Sequence, residues 1–213
     1  MADPCYGFFP GQITGIGTGE IKPVRPSLCS SATSASSDAA ATLGNATRVT
    51  REWVSGESFL YLGSSYRLEL VAEQDEPLKL KDGRFCLLRS VVENGSNESA
   101  HLAFEAFYKK KGLPRIKKRV AHFAARVGVS AGEVQIKELG YRWASCLKSG
   151  DLHFHWKCLM APLTVIDYII VHELCHLHHR DHSDAFWNEV DKVLPDYRDR
   201  KDWLRVRGAK LDL

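Results

Sequence analysis

The chain has 213 residues, 44% of them apolar, enough to bury one good-sized core with appendages. Its 29 basic residues against 26 acidic ones do not mark the whole molecule as a polyanion binder. No apolar run is long enough to span a bilayer, and no basic start leads into an apolar stretch, so neither a spanning helix nor a secretory signal is expected. The six cysteines (Cys5, Cys29, Cys86, Cys146, Cys158 and Cys175) form no C-x-x-C pair, which reads as reduced thiols in a cytoplasmic protein.

Residues 1–50 are dominated by Gly, Ser, Ala and Thr. They read as a low-complexity leader with too little apolar surface to offset its ordering entropy. A folded domain is expected over residues 55–208. Phe59–Leu62 and Tyr66–Val71 flank Gly63-Ser64-Ser65, and Tyr66, Leu68 and Leu70 alternate with Arg67 and Glu69 as on a half-buried strand. Leu78 and Leu80 alternate with lysines before Asp82-Gly83, a hairpin turn, and Arg84–Leu88 returns. Together these segments predict a small antiparallel sheet, followed by a turn or loop over Val91–Ser99.

His101–Val127 is helical in pattern, with Gly112-Leu113-Pro114 expected to split or kink it. From Glu105 to Arg126 it carries eight Lys or Arg and one acid, so residues 109–126 form a basic helix that is a candidate contact for nucleic acid or another acidic partner. Val134–Leu139 reads as a strand, and Arg142–Cys146 with Leu152–Trp156 as a hairpin around Lys148-Ser149-Gly150-Asp151. His153 and His155 share one strand face, read as the outer, polar one. The strand Leu152–Trp156 is a candidate edge for holding an extended peptide.

Pro162 opens the next helix. Ile166, Ile170, Leu174 and Leu177 form an apolar stripe, while Tyr168, His172 and His176 form a second one pointing elsewhere. After a turn near His179–Asp181, Ser183 is placed to cap a helix with Phe186, Val190, Val193 and Leu194 inward, and a last helix runs from about Asp196 to Arg207.

Val171–Ser183, VHELCHLHHRDHS, holds five of the nine histidines. His172 and His176 are four apart, on one helix face, and Glu173 lies between them. This is the H-E-x-x-H pattern of zinc hydrolases, with His182 as a third ligand after the turn. Imidazoles suit Zn²⁺, and three protein ligands leave the fourth position open, the arrangement of catalytic rather than structural zinc. Glu173, beside His172, is placed to take a proton from water and pass it to the leaving amine. His178 falls on the wrong face, His179 can only orient a ligand, and Cys175 is a packed thiol. Arg142, Tyr168 and Tyr197 are candidate substrate-binding or oxyanion residues by chemistry alone.

Taken together, RWASC (Arg142–Cys146), LHFHW, APLTVIDYIIVHELCHL, DHSDAFW and PDYRDRKDWL resemble the YgjP-like metallopeptidase domain, a family related to the SprT-like and WLM zincins. The resemblance covers about residues 55–204. It implies an α+β zincin-like fold, a small antiparallel or mixed sheet packed on helices that include the H-E-x-x-H helix. It also implies one Zn²⁺ on His172, His176 and His182, Glu173 as catalytic residue, and a peptide or protein substrate. Ala144 and Cys175 stand where the family has Gly and Ala, His153 and His155 where it has Asn, and residues 1–50 do not resemble its Arg-rich first strands. Two other readings stay open: a DNA-associated zinc protein using the basic helix, tested by charge reversal of Lys117, Lys118 and Arg119, and a non-catalytic binding module stabilised by zinc.

Overall fold

Two hairpins open the fold in the computed structural model, which describes residues 51–93 and 95–213. The leader expected over residues 1–50, with Cys5 and Cys29, lies outside them. Strands β1 (Ser58–Tyr61) and β2 (Ser64–Val71) are antiparallel, as are β3 (Leu78–Lys81) and β4 (Arg84–Leu88). Leu62 and Gly63 (φ 52° and 80°) make the first turn and Asp82-Gly83 (φ 49° and 73°) the second, the left-handed pairs that suit two-residue hairpins. The first turn is thus one residue earlier than expected, and Ser64 and Ser65 belong to β2. The sheet is mixed rather than purely antiparallel: its order is β1-β2-β4-β3, because the two hairpins join through a parallel β2–β4 pair. Alternation within each strand specifies which face is buried but carries no information on how hairpins are ordered.

The expected loop over Val91–Ser99 instead holds the end of a short helix, α1 (Arg89–Glu93), and the start of α2 (Asn97–Val127). Helix α2 runs for 31 residues through Pro114 and ends at Gly128 in the left-handed conformation. It is not split at Gly112-Leu113-Pro114. Tertiary packing on both sides of the proline overrides its local preference: Phe104, Phe107 and Tyr108 sit against the sheet, and Ile116, Val120 and Phe123 are buried beyond it. Gly112 marks the closest approach, since a Cβ there would lie 2.8 Å from Leu159 Cγ. Trp53, Phe59, Phe85 and Phe104 form the aromatic centre of this half, with Phe59 and Phe104 ring centroids 4.4 Å apart.

The second sheet contains β5 (Val134–Lys137), β6 (Ala144–Cys146) and β7 (Leu152–His155) in the order β5-β7-β6. The β6–β7 hairpin is as expected. However, β7 pairs with β5 on one side and β6 on the other, so it cannot be the peptide-binding edge; β6 is the edge strand on that side. His155 also departs from expectation: it is fully buried, with Nε2 2.8 Å from Glu138 Oε1, and its Nδ1 accepts from the Lys157 N–H at 3.1 Å.

A 3-10 segment (Trp156–Met160) and Pro162 lead into α3 (Leu163–Cys175), followed by α4 (Asp184–Val193) and α5 (Tyr197–Arg207). Helix α3 is packed by α2, β6, α4 and α5, and every residue from Val165 to Cys175 is buried. It therefore has no exposed metal face of the kind its two stripes suggest. A helix that is apolar on most sides is a core helix, and its polar residues need dedicated partners. Asp167 has one in Arg119 of α2, whose Nε donates to Oδ1 at 2.7 Å while Nη2 meets Oδ2. Ser183 stands at the N-cap of α4, but its hydroxyl donates to Asp181 Oδ1 at 2.9 Å rather than accepting from the helix. The described residues thus form the α+β, zincin-like fold expected, with the His/Glu helix at its centre.

Candidate metal centre

Helix α3 delivers His172 and His176 one turn apart, and the turn after Cys175 swings His182 back onto them. His172 Nε2 is 3.2 Å from His176 Nε2 and 3.1 Å from His182 Nε2, and the ligand atoms of all three lie within 4.8 Å of one another. Tetrahedral zinc with nitrogen ligands at about 2.0–2.1 Å sets neighbouring nitrogens about 3.3 Å apart. Both short separations fit that figure.

The tautomer of one ligand is set by its neighbour. His176 Nδ1 lies 3.0 Å from the His179 carbonyl oxygen, which can only accept, so Nδ1 carries the proton and Nε2 presents its lone pair to the centre. This is the part His179 plays, through its backbone. Burial first, then the charges of His176, His182 and Lys201, hold the His172 imidazole well below the ordinary histidine range, so it is neutral and able to ligate. His178 turns away, with Nδ1 3.7 Å from Glu189 Oε1.

The wall of the site comes from residues whose role spacing does not reveal. The Phe186 ring centroid lies 4.9, 4.7 and 4.8 Å from those of His172, His176 and His182, and Phe186 is fully buried. Trp187 stacks on His182 at 5.7 Å and on Tyr197 at 5.4 Å, and Lys201 places Nζ 3.9 Å from its ring centroid. Phe186 reads as an ordinary core position on α4, and Trp187 as its neighbour. The sequence signals for them were their place just after His182 and their membership of the DHSDAFW motif.

Glu173, next to His172 on α3, is buried at 2% exposure. Tyr168, also buried, meets His172 edge to face at 5.9 Å. Tyr197 supports Trp187 from behind. Arg142 is an exposed residue of the turn leading into β6. Cys175 is packed and protonated, its thiol pushed up to about 12 by burial. The structure therefore brings His172, His176 and His182 into mutual contact, with Tyr168 against His172, Tyr197 one ring away, and Arg142 at the rim of the neighbouring strand.

Among known proteins, the family model described as YgjP-like, metallopeptidase domain matches residues 34–207. No curated protein matches the chain. Among solved structures, the metallopeptidase zymogen of Pyrococcus abyssi abylysin is similar at 26% identity and a TM-score of 0.41, over 46% of this chain and 96% of its own.

Proposed function

The chain belongs to the YgjP-like metallopeptidase family, whose class is metal-dependent peptide hydrolysis, and from that premise we propose that it cleaves peptide bonds with one zinc ion on His172, His176 and His182 and Glu173 as general base. The observation that carries this reading is the convergence of three imidazoles, with His172 Nε2 3.2 Å from His176 Nε2 and 3.1 Å from His182 Nε2, separations that suit tetrahedral zinc. A zinc ion there would supply Lewis acidity, lowering the pKa of water to about 7 and polarising the scissile carbonyl. The remaining work falls to the protein.

Glu173 takes a proton from the attacking water on one carboxylate oxygen and gives it to the leaving amine nitrogen. Its burial keeps that proton from exchanging with bulk solvent during the step. Phe186 and Trp187 exclude water from the flank of the three histidines. The edge strand β6, which leads out of Arg142, replaces β7 as the element on which an extended substrate segment pairs. Arg142, exposed at its entrance, is the substrate-facing member of the three oxyanion candidates. Tyr168 and Tyr197, both buried, act by holding His172 and Trp187.

Metal analysis of wild type and Glu173→Gln, combined with digestion of a broad peptide library, tests the assignment. Both proteins should carry one zinc per chain, and only the wild type should cleave. Cleavage by Glu173→Gln would remove Glu173 from its role, and zinc binding without cleavage by either protein would remove the peptidase reading.

A further inference from the structure

The basic segment of α2 plays no part in the peptidase reading, and its partners in the structure divide it in two. Lys109 is paired with Glu105, Lys110 with Glu76 and Arg119 with Asp167, and Arg126 donates to the Val193 carbonyl oxygen at 2.9 Å. Lys111, Arg115, Lys117 and Lys118 are exposed and form no ion pair among the described residues. At about 100° per residue, Lys111, Arg115 and Lys118 fall within an arc of about 60°, and at about 1.5 Å per residue they form a row about 10 Å long. From Lys110 to Arg126 every exposed position is Lys, Arg, His, Pro or Ala. This face contains no carboxylate. On α4 and α5 most cations differ: Lys192, Arg198, Arg200 and Arg205 are each matched by an acid, and Arg207 lies over the Trp203 ring.

We propose that this face of α2 binds the phosphate backbone of a nucleic-acid duplex, without sequence preference, through Lys111, Arg115 and Lys118. A straight row of unneutralised cations on a rigid helix suits a rigid line of phosphates. At one phosphate per about 3.4 Å of rise along a strand, the row spans about three of them. The flanking Pro114, Ala121 and Ala125 are small and let a backbone approach. Among the described residues the one ring on this face is the imidazole of His122, packed edge-on to Phe123 at 4.9 Å, so there is no series of rings on which successive single-stranded bases would stack, and no long polar amide reads base edges. It also lacks the large apolar side chains that anchor a protein partner or enter a bilayer surface. Arg119 does not belong to the surface, because its guanidinium is committed to the buried Asp167; reversing its charge would disrupt the α2–α3 contact rather than test binding.

The test is fluorescence anisotropy of a labelled mixed-sequence DNA duplex with the full chain, from about 50 to about 200 mM salt. Wild type should bind with a slope of log K against log[salt] of about −3, from about 0.9 per phosphate neutralised. The variant K111Q/R115Q/K118Q should lose tenfold or more in affinity and most of the slope. The variant K192Q/R198Q/R205Q, which removes three paired cations, should change affinity less than twofold. Equal binding by wild type and the first variant, equal loss in both variants, or a wild-type slope shallower than −1 would each overturn the proposal. So would binding to anionic phosphatidylserine vesicles without binding to the duplex.

Discussion

Gly112→Ala separates two accounts of the long helix α2. On helix propensity alone, replacing an interior glycine by alanine stabilises by about 1 kcal/mol. The structure argues for the opposite sign. A Cβ at residue 112 would lie 2.8 Å from Leu159 Cγ and 3.0 Å from both Ile136 Cδ1 and Leu159 Cδ1. Carbon atoms rest at about 3.5–4.0 Å, so about 0.5–1 Å must be found at each contact. The Ile136 methyl is a chain end and can yield. Leu159 Cγ is a branch point on a fully buried side chain, fixed in the 3-10 segment that leads into α3, and cannot yield without moving that segment. Overpacking of this kind costs about 1–3 kcal/mol; with a branch carbon involved the upper half applies, leaving a net loss of about 1–2 kcal/mol. For a domain of this size that lowers Tm by about 2–8 °C. Thermal and urea melts monitored by circular dichroism would measure it. In a Leu159→Ala background, where the obstruction is gone, the same change should become neutral or stabilising, a coupling that only neighbours show. A Tm that rises with Gly112→Ala in the wild-type chain would refute the close-approach argument.

Three further outcomes follow from the site and its surroundings. Phe186→Ala should destabilise by about 3–5 kcal/mol, since the ring is fully buried and touches all three histidines, with a chemical melt in the presence of chelator as the measurement. Chelation itself should lower Tm by about 8–16 °C, because free metal at about a thousand times its Kd adds about 4 kcal/mol, and His182→Asn should shrink that difference; an unchanged Tm would sink the metal reading. The pairing of buried His155 with the more exposed Glu138 makes stability fall in acid in two stages. Burial, outweighing the Glu138 carboxylate, lowers the His155 pKa, so the unfolded chain takes up that proton first and stability declines as pH drops below about 6.5. Burial would raise Glu138, but the His155 charge and the bonds from Trp156 Nε1–H, Gly140 N–H and His155 lower it overall, so its contribution is complete above about pH 4.5 and lost as pH falls further. Urea melts of wild type, His155→Gln and Glu138→Gln across pH 3 to 8 should show the second stage missing in Glu138→Gln, and in His155→Gln the first stage missing and the second reduced, since the His155 charge and bond no longer hold Glu138 down.

Local chemistry made the hairpins and the histidine motif readable, and non-local packing hid the rest. Asp82-Gly83 specifies its own turn, and Leu78 with Leu80 alternates as a strand must, so β3 and β4 were legible without any knowledge of their neighbours. Their parallel join to β2 was not, because nothing in a strand's alternation names its partner. His155 misled for a related reason. Alternation put it on the polar face with His153, yet the carboxylate of Glu138, itself largely exposed, reaches in to both the buried His155 and the Trp156 N–H, at 2.8 Å each. A residue seventeen positions away thus turned a polar position into a core one. Gly112-Leu113-Pro114 looked like a break when judged by propensity, but the glycine is present because Leu159 leaves no room for a side chain. The Pro114 position costs little once the flanking turns are held by Tyr108, Ile116 and Val120.

The same reasoning explains why the three histidines were legible while their wall was not. Ligand spacing is a property of one short stretch: His172 and His176 share a face by helix period, and His182 follows by the length of a turn. Phe186 and Trp187 become part of the site only when α4 folds back, and in sequence each is simply another aromatic. Their presence makes a cation important. His172 Nε2 stands 3.2 Å from a nitrogen whose proton lies on its far side, committed to the His179 carbonyl, and 3.1 Å from a third nitrogen. In the absence of a cation, a single proton on His172 Nε2 would have to serve both neighbours, and His172 Nδ1, buried without a partner among the described residues, would then have no donor. A bound divalent ion would give the converging nitrogens a common acceptor of their lone pairs. Because Phe186 packs on all three rings at once, the strength of the chelation effect should depend on Phe186 as well as on the three histidines.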